Sequence, residues 1–150
     1  METPKYSFEE VLARYGQITY TNVGVSMLPL LRQGKDLFTV RRKGPERCSK
    51  GDVVMYKRGD AYVLHRIIEV RPEDYVIMGD NCVSKEYGIR DEDILGVMTG
   101  FVRNGKEHSV NEMSFRLYSG LILNTIGLRV FIKKSRIKAA RLVKGWLDER

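Results

Sequence analysis

Only two of the 150 residues are cysteine, Cys48 and Cys82. That is too few for a disulfide scaffold or a four-ligand zinc site. There are two histidines, His65 and His108, and one tryptophan. No apolar stretch reaches the roughly 18–20 residues that span a bilayer. The longest uncharged run in the last third is LYSGLILNTIGL, 117–128. As a helix it would cover only about 18 Å. The N-terminal METPKYSFEEVLARYG lacks the apolar core of a secretory signal. No HExxH motif, P-loop or dinucleotide glycine fingerprint occurs, and nothing else in the chain calls for a metal or a cofactor.

What is present is an ordinary globular composition, 43% hydrophobic and 30% charged, long enough for one compact domain. The net charge is +7, and its location matters more than its size. Residues 129–150 hold eight basic and two acidic side chains, a net of +6, which leaves +1 for residues 1–128. Basic charge alone suits nucleic acid, anionic lipid or plain solvation. Here it belongs to a tail on a nearly neutral body.

Ser7 and Glu10 have capping-box spacing, and Gly16 can close a short helix. Residues 17–23 read as a strand, and Pro29 is placed to start a short helix after GVSMLP. Strand-like runs follow at 36–42, 52–58, 62–70, 74–79 and 94–104, punctuated by glycine and Asn104-Gly105. The expected fold is mainly β, an antiparallel folded sheet or partial barrel, with a short N-terminal helix and C-terminal helices. The expected division is a β domain, 1–112, and a basic helical segment, 113–150. In 130–147, Phe131, Ile132, Leu142, Val143 and Trp146 share half of the helical wheel, and Lys133, Lys134, Lys138, Arg141 and Lys144 the other. Such a helix either packs its apolar face on the body or lies in an anionic membrane interface. Nucleic-acid binding is not favoured, since no reader motif accompanies the charge.

Three places could carry chemistry. Ser26 follows Gly24-Val25 in a turn, where glycine allows close backbone approach and the serine is a nucleophile if a base is near. A turn serine is more commonly only a hydrogen-bonding residue. His65 lies in Tyr62–Ile68; on a strand it shares a face with Val63 and Ile67. It is either a hydrogen-bonded core residue or a general base. Gly79-Asp80-Asn81 ends a strand with Glu86 beyond it, which reads as a turn or as a carboxylate supporting a base. His108 reads as a surface-loop residue.

In order along the chain, these segments resemble type I signal peptidases and their serine-peptidase relatives. Gly24-Val25-Ser26-Met27-Leu28-Pro29 is similar to the nucleophile box of that family. Gly34–Val40 and Gly51–Tyr56 resemble its two following glycine-aspartate strands. Leu64-His65-Arg66-Ile67-Ile68 falls where the family carries its base, with His as in endoplasmic-reticulum and archaeal members rather than the bacterial Lys. Met78-Gly79-Asp80-Asn81 resembles the late G-D-N box, and Ile94–Val97 the closing strand. The resemblance covers roughly residues 18–102.

It implies a serine endopeptidase acting on a peptide or precursor protein. Ser26 would be the nucleophile, His65 the base, Glu86 the acid that orients His65 and Asp80 a supporting residue. The Ser26 backbone N–H would serve the oxyanion hole. The chain departs from the family in having Gly24 where some bacterial members add a serine, Cys82 for a second Asn, and Lys85 where some relatives have an acid. Glu86 stands where relatives have Asp. The usual transmembrane helix is not found, so a cytoplasmic or peripheral membrane location is expected. The alternative is an inactive peptide- or membrane-binding module that keeps the fold. A self-cleaving repressor is disfavoured, because about 17 residues before the β body leave no room for a helix-turn-helix.

Overall fold

A computed structural model describes residues 6–149. Residues 1–5, the start of the polar N-terminal stretch, and Arg150 of the basic tail lie outside the described residues. Helix α1, Phe8–Tyr15, opens with the expected reciprocal cap: Ser7 Oγ accepts from the Glu10 N–H and Glu10 accepts from the Ser7 N–H. Gly16 closes it in the left-handed region, φ 76°. Leu12 is the side chain it buries.

Eight strands follow: β1 Gln17–Thr21, β2 Leu37–Arg42, β3 Val53–Arg58, β4 Ala61–Val70, β5 Tyr75–Met78, β6 Glu86–Ile89, β7 Ile94–Arg103 and β8 Lys106–Ser109. They form one antiparallel sheet in the order β1-β2-β7-β3-β4-β5-β6, with β8 on β7. The sheet is not closed into a barrel. Asn104 and Gly105, both at positive φ, make the β7–β8 turn.

Three expectations need correction. Pro29 starts no helix: residues 22–36 run as turns, held by the buried Met27, Leu30 and Leu31. A burial requirement outweighs the N-terminal preference of proline there. β6 and β8 did not read as strands, because each has four residues and a polar composition; pairing with a neighbour makes them. His108 consequently lies on β8, stacked on Phe101 at 4.9 Å, and not in a loop.

Helix α2, Met113–Asn124, packs Ser119 and Ile122 inward; helix α3, Ile126–Asp148, leaves it at a bend of 66°. Ile126 and Val130 of α3 pack on Ile68, Val76 and Met78 of the sheet. Residues 134–149 are exposed throughout. The apolar side of α3 therefore does not cover the body. Its first turns meet the body through Ile126 and Val130 together with the basic Arg129 and Lys133. No single helix among the described residues is long and apolar enough to cross a membrane.

Candidate active site

Strand pairing assembles the site on one face of the sheet. His65 pairs with Val54, and Tyr56, two residues on from Val54, shares that face. Ile67, two residues on from His65, pairs with Ile77, which pairs with Glu86. Tyr56, His65 and Glu86 thus converge from β3, β4 and β6. The β3–β7 register shifts between Met55 and Tyr56, a bulge beside the convergence.

Tyr56 Oη donates to Glu86 Oε2 at 2.7 Å and lies 3.3 Å from His65 Nδ1. Glu86 Oε1 is 3.4 Å from the same nitrogen. Arg58 donates to Tyr56 Oη at 3.1 Å and pairs with Glu86. Burial, and then the neighbouring Glu86, push the Tyr56 phenol well above its ordinary range, so it keeps its proton at neutral pH. That single proton goes to Glu86. The phenol oxygen is then left to accept from His65, and the carboxylate can only accept. Both neighbours call for a proton on Nδ1, which leaves Nε2 of the neutral ring as the base-competent nitrogen. Burial holds the His65 pKa below its usual value, against the opposing pull of Glu86.

The connection between β1 and β2 brings Ser26 to the same cleft. A side-chain carbon on Gly79 would sit 2.7 Å from the Ser26 carbonyl oxygen and 3.0 Å from His65 Nε2. Those two atoms flank one point, and only glycine leaves it empty. The Asn81 N–H donates to the Ser26 carbonyl at 2.8 Å, and its side-chain amide to the Val25 carbonyl at 3.0 Å. Asn22, buried, donates to the Gly24 and Leu31 carbonyls and holds the loop from the other side. Ser26 is partly exposed and shares a cleft of about 540 Å³ with His65, Glu86, Arg58 and Lys133.

Asp80 is placed differently. It is 4% exposed and takes a two-pronged bond from Arg66, 2.8 Å to each oxygen. Tyr118 Oη of α2 donates to it at 2.8 Å, and Arg66 also donates to the Gly51 carbonyl and Ser119 Oγ. Asp80 ties β4, the G-D-N turn and α2 together and touches neither Ser26 nor His65 through a hydrogen bond. Of the four sequence candidates, Ser26, His65 and Glu86 line one cleft, and Asp80 lies under it.

Four participants escaped sequence reasoning. Tyr56 and Arg58 looked like alternating strand residues; their signal was only the β3–β4 register. Arg129 and Lys133 looked like surface charge. Arg129 donates to the Asp80 carbonyl at 2.5 Å, and Lys133 bonds the Asn81 carbonyl and its side-chain oxygen, the latter at 2.8 Å. Helix α3 is thereby fastened to the turn that holds Ser26. Comparisons with protein-family models, with curated proteins and with solved structures found no match to this chain.

Proposed function

We propose that the chain is a serine endopeptidase of the signal-peptidase-like type, with Ser26 as nucleophile and His65 as general base. The observation that carries this reading is that the Ser26 carbonyl oxygen and His65 Nε2 lie within 3.0 Å of one point beside Gly79, with both residues lining one cleft and with Glu86 and Tyr56 on the far nitrogen of the same ring.

In the proposed reaction, Ser26 Oγ attacks the scissile carbonyl carbon while its proton passes to His65 Nε2. The Ser26 N–H donates to the developing oxyanion. The C–N bond breaks as His65 returns the proton to the leaving amine. A water, deprotonated by the same nitrogen, then hydrolyses the acyl-serine. Glu86 stabilises the imidazolium formed in between. The substrate class, an extended peptide with small residues beside the cut, follows from the resemblance. The cleft suits such a chain: it runs along Tyr62, Val63 and Leu64, and β5 pairs with β4 only from Arg66 onward.

Incubating a peptide library with wild type and with Ser26→Ala, and reading the products by mass spectrometry, tests the reading. The expected loss of rate is about 10³-fold or more. Identical products at identical rates from both proteins would remove Ser26 as nucleophile; no products from either would favour the binding module.

A further inference from the structure

Helix α3 carries apolar side chains on two opposite sides. Ile126, Val130 and Lys133, at spacings of four and three, face the body. Leu128, Phe131, Leu142 and Trp146 lie on the opposite side and are 55–69% exposed. The apolar side of the helix thus points outward. Met113, Leu117 and Leu121 of α2, also exposed, add a second apolar row at four-residue spacing.

Charge decides what can cover this surface. Residues 126–147 contain seven basic residues and no acidic one. Arg129 and Lys133 are bonded to the body. Lys134, Arg136, Lys138, Arg141 and Lys144 form no salt bridge among the described residues. Lys134, Lys138 and Arg141 run along one flank of the apolar side, and Arg136 along the other. A second copy of the chain would set these unpaired cations against their equals. A nucleic acid would neutralise the charge and leave the apolar side in water. An anionic lipid surface satisfies both: acyl chains meet the apolar side and headgroups meet its flanks. The helix is about 34 Å long, and its exposed distal half is free to lie flat.

We infer that α3 docks the protein on an anionic membrane surface, lying in the interface with Leu128, Phe131, Leu142 and Trp146 toward the acyl chains. This is independent of the peptidase reading.

Flotation of the full chain with phosphatidylcholine vesicles, with and without phosphatidylglycerol, tests it, together with the emission of Trp146, the single tryptophan. The expected result is flotation with the anionic vesicles, a blue-shifted emission quenched by brominated lipid, and loss of both at high salt. Lys134→Gln, Lys138→Gln and Arg141→Gln together should weaken binding about 100-fold. Phe131→Ser with Leu142→Ser should abolish it while the circular dichroism and melting temperature stay unchanged. Equal flotation of wild type and the serine variant would overturn the inference. So would failure of the wild type to float, or a concentration-dependent dimer in sedimentation that the serine variant abolishes while wild type ignores lipid.

Discussion

At the scale of single residues, the informative position is Tyr56, because one phenol proton determines where the His65 proton sits. Removing that oxygen in Tyr56→Phe takes away one acceptor and leaves Glu86 Oε1 at 3.4 Å as the other. The preference for Nδ1–H should fall, visible as a change in the ring ¹⁵N shifts of His65. This holds whether or not the protein cleaves peptides. If it does, kcat should drop about tenfold or more, with KM little changed. The pH profile carries a further sign. A protonated imidazole cannot accept the serine proton, so on the proposed mechanism cleavage would fail as pH falls through the His65 pKa. Burial places that pKa below its ordinary 6.5. The acid limb of kcat/KM should therefore lie below pH 6.5 in the wild type.

At the scale of elements, the buried Arg66–Asp80 pair joins β4 to the G-D-N turn and, through Tyr118, to α2. Neither side chain is measurably exposed. Asp80→Asn would leave the Arg66 charge buried without its counterion and should lower stability by about 3–5 kcal/mol in urea unfolding. Arg66→Met with Asp80→Leu should recover much of that loss, since the desolvation of both charges disappears together. Recovery of stability in the double variant would identify the pair as a structural tie under the site. The same elements show what sequence can and cannot convey. The alternation around His65 predicts its face correctly, because a period of two is a property of the strand itself. The partnership with Tyr56 depends on the β3–β4 register, and that with Glu86 on two further pairings across a seven-residue loop. Neither is written in local pattern. The short β6 carries Glu86 without any strand signal of its own.

At the scale of the whole molecule, the amphipathic character of residues 130–147 is legible, but the direction of its apolar side is not. A wheel sorts side chains into faces without saying what each face meets. Here Arg129 and Lys133 meet the body because the carbonyls of Asp80 and Asn81 offer acceptors at the right height. The distal half contributes no burial. A chain ending at residue 134 retains both contacts, and its stability should stay within about 0.5 kcal/mol of the full chain in denaturant unfolding. A larger loss would mean that the terminal turns support the sheet.

The position of Trp146 divides the protein optically. The lone indole rides on the projecting helix, while Tyr56 and Tyr75 are buried in the sheet. Tryptophan emission follows what happens to the tail, and near-ultraviolet tyrosine dichroism follows the packing of the body. A flat tryptophan trace during denaturation is thus compatible with complete loss of the sheet, and the two chromophores give separate readings of one chain.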